Sequence, residues 1–269
     1  MPVFDVADLA VQGAVDAGAT YSDARVVVQR AETINVRNQN LEQYDLSESV
    51  GVGVRALIGS SWGFAATADM GSAAVRRAGE QAAAIAKASA LVPGPPMDFA
   101  DVPVHQASWS TPVVEDPFTV PTSDKVDLLV GVTATMQAVD GVEVATGNLT
   151  FWGTEKWFVS SQGHRIHQHI VESGGGFDAT AIGENETQRR SYPQSFGQFE
   201  TGGFEVVRAW HFADNAQRIA EEAVALLTAD ELDERETNLI LEGSQLALQI
   251  HESVGHAIEL DRILGWEAA

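Results

Sequence analysis

The sequence predicts an α+β protein: two helix–antiparallel meander–helix units, then a strand and a helix bearing an HExxxH motif. Three observations carry this. Stretches with the 3.6-residue period of an amphipathic helix bracket runs rich in β-branched residues. That order occurs twice, although no residue-level repeat accompanies it. A proline-rich segment lies between the two occurrences. The implied division is an N-terminal α+β unit over 1–92, a linker over 93–121, a middle α+β unit over 122–232, and the start of a C-terminal domain over 233–269. With 269 residues, 45% of them hydrophobic, the chain can bury more than one core.

Taken in order, Val6 to Ala17 has an amphipathic helical pattern that Gly18 ends. Ser22 to Thr67 is β-like: "DARVVVQRAETINVRN" is β-branched, "SVGVGVRALI" alternates, and "GSSWGFAAT" reads as a turn into a further strand. Gly71 to Ala90 is Ala-rich and helical. It places Val75, Ala78, Ala82, Ile85 and Ala86 at helical spacing, as a packing helix or a subunit interface would. Val92 to Pro121, including "PGPP", reads as extended linker because proline lacks a donor. Thr122 or Ser123 is expected to cap a helix reaching about Val139. Four strand-like runs follow, "VEVATGNLTFW", "KWFVSSQ", "HRIHQHIVES" and "GFDATAIG", with Gly174 to Gly176 as a flexible turn between the last two. A helix closes the unit. "TNLILEG" then reads as a short apolar strand, and Ser244 as the cap of the motif helix.

The net charge of −22, from 38 acidic and 16 basic residues, repels phosphate backbones and anionic lipid. Nucleic acid and membrane are therefore not expected as partners. There is no cysteine, hence no disulfide or thiolate ligand within these residues. No secretory signal pattern and no spanning apolar run are evident, so a cytoplasmic protein is expected. The last residues, "DRILGWEAA", have no terminal cap or polar tail, and the chain is expected to be the front part of a longer protein.

The motif is "HESVGHAIELDR". On a regular helix Leu246, Ile250, Val254 and Ile258 form an apolar stripe expected to be buried. His251 and His256 are then about 140° apart around the axis, against about 40° for a spacing of four. Gly255, Glu259 and Glu252 fall in the sector the histidines straddle. Two histidines so spaced are either ordinary surface residues or metal ligands that need some local unwinding, for which Gly255 is the natural place. In the second case Glu252 is the candidate general base for a metal-bound water. Glu259 would orient a histidine, ligate the metal or hold substrate.

These residues resemble the HExxxH signature of the TldD/PmbA metallopeptidases, in the TldD-like branch, close to H-E-x-x-G-H-x-x-E. His251, Glu252, Gly255, His256 and Glu259 all match it. Tyr21, Asp23, Arg25, Gly53, Val54, Arg55, Trp62, Gly63 and Phe64 resemble that family's N-terminal signature, and "EKWFVSSQGHRI" its middle region. The resemblance implies a cytoplasmic zinc-dependent peptidase acting on short or unfolded peptides. It implies a dimer, with itself or with a PmbA-like paralogue that lacks the metal motif. His251 and His256 would hold Zn²⁺ and Glu252 would be the base. The family's third ligand is a cysteine of its C-terminal domain, which these residues do not contain. The alternative is a non-catalytic peptide-binding or assembly subunit of a dimeric protease complex; a non-peptidase metallohydrolase also fits the spacing.

Two other features invite attention. His164, His167 and His169 lie close together, with His167 and His169 on one strand face. They read as surface histidines, a two-histidine metal clip, or an edge that binds substrate backbone. "GVGVRALIGSSWGF" is glycine-rich but lacks the lysine and helix start of a phosphate loop.

Overall fold

The computed structural model describes residues 2–92, 94, 97, 99–100, 102–194 and 197–267. Pro93, Pro95 and Pro96 of the expected linker lie outside the described residues. Helix α1 is Val3–Asp16, and Gly18 follows it at φ 102°, a left-handed conformation suited to glycine. Strands β1 (Tyr21–Arg37), β2 (Asn40–Ile58) and β3 (Ser61–Thr67) form an antiparallel meander, and α2 is Ser72–Ser89. Gln106–Ser110 is β4, α3 is Thr122–Gln137, and β5 (Val142–Ser160) and β6 (Arg165–Ile182) form a long hairpin. Strands β7 (Thr187–Tyr192) and β8 (Gln198–Thr201) precede α4 (Phe204–Ala209) and α5 (Phe212–Leu226).

The strands do not close into two separate sheets. β1 pairs along its length with β5, from Asp23↔Ser160 to Arg37↔Thr146, and merges both meanders into one eight-stranded sheet. Its order is β3-β2-β1-β5-β6, with β4, β8 and β7 meeting successive stretches of β6. β4 is parallel to β6, so the segment expected to be linker contributes a strand. Its backbone is satisfied by the ladder rather than by water.

Side-chain alternation places α1 to α5 on one face. In β1, Ala24 and Val26 belong to one core with Val6, Ala10, Val75 and Ala82 of α1 and α2, whereas Ile34 and Val36 join a second core with Leu129, Phe151, Phe177 and Ile219. These β1 residues share parity and therefore a face. Two helix layers thus share one sheet, and Arg25, Val27 and Gln29 project from the opposite, uncovered side.

Several local expectations are corrected. Gly174 to Gly176 is not a turn but the middle of β6, held by close packing: a Cβ at Gly174 would lie 2.1 Å from the Phe199 ring, and at Gly175 2.7 Å from the Asn148 carbonyl. The four expected runs are therefore two strands. Gly59 and Ser60 form the turn expected at the start of "GSSWGFAAT", and Trp62, Gly63 and Phe64 lie within the strand that follows, β3. Pro121, not Thr122 or Ser123, precedes the first turn of α3, and neither hydroxyl caps it. The closing helix is two, separated at His211, whose φ of 50° breaks the α-helical run. In α2, Val75, Ala78, Ala82 and Ala86 are buried but Ile85 is exposed, because α1 and the sheet cover only one side.

Gly63 meets α2 directly: a Cβ there would stand 2.0 Å from the Ala82 carbonyl oxygen and 2.4 Å from the Ala86 nitrogen. Gly63→Ala is accordingly expected to destabilise by about 1–3 kcal/mol, since backbone and not a mobile side chain must move. Urea unfolding checks this, and an unchanged midpoint would refute the close approach.

Candidate metal centre

The motif helix is not a uniform α-helix. Gly243–Ile250 is α-helical (α6), His251–Gly255 is a π turn, His256–Ile258 a 3₁₀ turn, and Leu260–Ile263 a short helix, α7. The His256 N–H donates to the His251 carbonyl, five residues back. A π turn closes on residues five apart. It therefore returns His256 to the side of the axis that His251 occupies, which a regular helix would not. The two imidazole centroids are 4.5 Å apart with planes at 79°. The unwinding expected near Gly255 is present, but glycine is not sterically demanded: a Cβ at Gly255 would approach no closer than 3.6 Å to the Ile250 carbonyl.

His251, Glu252 and His256 each present a donor atom, all within 4.8 Å of one another. Glu252 sits between the rings, its two oxygens 3.9 Å from His251 Nε2 and 3.9 Å from His256 Nε2. Glu259 Oε1 lies 2.8 Å from His256 Nδ1, and Glu259 Oε2 lies 3.2 Å from Arg262 Nε. An ionised carboxylate only accepts, so this contact places the imidazole proton on Nδ1 and leaves the Nε2 lone pair directed at the cluster. Two converging imidazoles are donors that suit a divalent metal such as zinc, and Glu252 stands beside the position such an ion would take.

The surroundings differ from expectation. Residues 229–242 form neither helix nor strand, so the expected strand at "TNLILEG" is absent; a lone apolar segment has no ladder to satisfy its backbone. Glu242 occupies the N-cap position of α6, and Ser244 lies inside the helix without capping it. Of the stripe expected to be buried, Leu246 is half-buried and the rest is exposed, with Ile250 and Val254 each 52% and Ile258 65% accessible. No layer of the described residues covers it.

Two histidines of the β6 cluster are engaged elsewhere. His164 Nδ1 accepts from the His105 N–H at 3.1 Å. His167 Nδ1 is 3.1 Å from Ser108 Oγ, its Nε2 meets Glu155, and its ring stacks on Trp157. These contacts take up both ring nitrogens, so His167 and His169 do not form a metal clip. Strand pairing supplied the carboxylate, Glu155, that local sequence reading missed.

Residues 22–86 match the model of PmbA/TldA metallopeptidase domain 1, and residues 115–229 match that of the PmbA/TldA metallopeptidase central domain. The chain belongs to the PmbA/TldD family. Among the relatives of this PmbA/TldD member is a metalloprotease of Methanothermobacter thermautotrophicus, 26% identical over 249 residues, spanning 91% of this chain and 51% of that protein. A metalloprotease of Methanocaldococcus jannaschii is 23% identical over 248 residues, covering 91% and 52%. The chain thus spans about half the length of these relatives. The fold resembles that of a putative modulator of a DNA gyrase from Thermotoga maritima, with TM-score 0.63, 13% identity, and coverage of 86% of this chain and 50% of that one. TldE from Thermococcus kodakarensis gives TM-score 0.51 at 15% identity, covering 80% and 45%.

Among the described residues, no helix is long and apolar enough to cross a membrane.

Proposed function

We propose that this PmbA/TldD chain carries the metal-binding and proton-transfer residues of a cytoplasmic, zinc-dependent metallopeptidase that cleaves short or unfolded peptides. The observation that carries the reading is the π turn, which gathers His251, Glu252 and His256 within 4.8 Å. His251 and His256 would hold the ion through imidazole nitrogens. When bound, zinc supplies Lewis acidity that lowers the pKa of a water to about 7. Glu252, between the rings and 60% exposed, is placed to accept a proton from water and return it to the leaving amine. Glu259 positions His256 through Nδ1. Residues 233–269 would open a further domain, and the exposed apolar stripe of the motif helix supports this because such a face in water is unfavourable. A dimer, with itself or with a PmbA-like partner, belongs to the same proposal.

The intact protein, with a third ligand from its C-terminal domain, is expected to take up about one zinc per chain. Glu259→Gln should weaken zinc binding about 10- to 100-fold by loosening the orientation of His256. Competition with a chromophoric chelator measures both, and zinc uptake no greater than that of a non-motif control protein would end the proposal.

A further inference from the structure

We propose that the uncovered face of the sheet carries a groove that captures the C-terminal carboxylate of an extended peptide, with Arg25 and Arg55 as the anchor. The groove has a volume of about 640 Å³ and runs along β1, β2 and β3. At its head, Asp23 is fully buried and accepts from Arg25 Nη1 at 2.7 Å and from Arg55 Nη2 at 2.6 Å. The Tyr21 hydroxyl donates to the same carboxylate at 3.0 Å, and burial together with Asp23 pushes Tyr21 up to about 12, so it stays a neutral donor.

One carboxylate thus fixes two guanidinium groups and compensates only one of their charges. Both arginines remain accessible, at 40% and 46%. Each is braced by an aromatic ring, Arg25 4.7 Å from the Phe158 centroid and Arg55 5.1 Å from that of Trp62. Lys156 stands beside Arg25 in the adjoining hollow. None of the described residues that line the groove is acidic, although the chain as a whole carries −22. A fixed, half-compensated guanidinium pair in such a chain is complementary to an anion, and its forked donors match a carboxylate.

The shape selects a chain terminus. The floor is bare backbone at Gly51, where an added Cβ would meet only the Thr67 carbonyl at 3.4 Å; over Gly53 lies the Phe64 ring, 59% exposed and 3.1 Å from where a Cβ would stand, and Val27 forms the opposite flank. An extended peptide can lie there with apolar side chains against those flanks. Beyond the arginines the path is closed by Tyr21, Trp62 and Phe99, whose ring centroids lie 4.6–6.0 Å apart. A peptide running over Gly51 and between Val27 and the Phe64 ring therefore reaches the guanidinium pair where it can go no further, as its final carboxylate would.

This deepens the peptidase reading by naming how a peptide is held, but its test measures binding without zinc or cleavage. Failure here leaves the metal centre standing, and the converse also holds. Calorimetry on the full chain would use an N-acetylated hexapeptide of alanine and leucine as free acid, as C-terminal amide, and as an amide with a central glutamate. The free acid is expected to bind about tenfold or more tighter than either amide. Arg55→Gln should abolish that preference. Val27→Glu, which adds a charge on the groove wall without stripping Asp23 of a partner, should abolish it too. Equal binding of acid and amide, or a preference that survives in folded Val27→Glu protein, overturns the proposal. The glutamate-bearing amide binding as tightly as the free acid overturns the assignment to a terminus.

Discussion

His251→Ala is expected to eliminate zinc uptake, and Glu252→Gln to retain the zinc while lowering peptide hydrolysis about 10²- to 10⁴-fold. The two variants separate holding a metal from moving a proton. His251 and His256 face one another across 4.5 Å, and removing either ring leaves a single imidazole, too few donors for a stable zinc site. Glu252 touches both rings only at 3.9 Å, so its amide form preserves the cluster's shape but cannot accept a proton. Elemental analysis of dialysed protein, with an assay on an unstructured peptide, reads both. Full zinc occupancy in His251→Ala protein would remove the assignment, and undiminished turnover in Glu252→Gln protein would exclude Glu252 as base.

Lys125→Met is expected to destabilise the fold by about 3–5 kcal/mol, among the largest single-residue effects in the chain. Lys125 of α3 reaches down to the sheet, where its Nζ lies 2.5 Å from Glu32 Oε2 and 4.8 Å from the Phe151 ring centroid. The two side chains are 1% and 4% exposed, so neither charge has water to fall back on. Removing the ammonium leaves a buried carboxylate without its counter-charge. The double variant Glu32→Leu with Lys125→Met should recover most of the loss, because paired buried charges contribute little net stability over apolar groups of similar volume. Chemical denaturation of the two variants checks this; if the single variant is as stable as the wild type, the pair is not a closed, desolvated one.

Much of the fold was legible because it is written in local periodicity. α1, the β-rich stretch that becomes β1 to β3, and α2 follow from alternating or 3.6-spaced apolar residues and from Gly18 and Gly71 at the breaks, although α1 begins at Val3 rather than Val6. The hairpin β5–β6 was divided too finely because glycines read as turns; Gly174 and Gly175 are small for packing reasons, which only Phe199 and Asn148 disclose. The candidate metal centre was legible as a donor set. His251, Glu252, His256 and Glu259 were all found by residue type and spacing, and the structure groups them. The groove arginines were visible only as part of a resemblance, since Asp23 and Arg55 meet across 32 residues of sequence.

The sequence by itself determined the chemistry on offer: which imidazoles and carboxylates occur, how far apart along the chain, and which stretches alternate. A five-residue histidine spacing is compatible with splayed rings on an α-helix or converged rings on a π turn, and the structure decided for the second. Tertiary structure also decided that β1 and β5 fuse two meanders into one sheet, that its helices share one face, and that the other face remains open around a half-compensated arginine pair. The reason is physical. Local preferences depend on residues a few positions apart, whereas strand pairing, burial of charge and the choice of a face depend on groups that only the folded chain brings together.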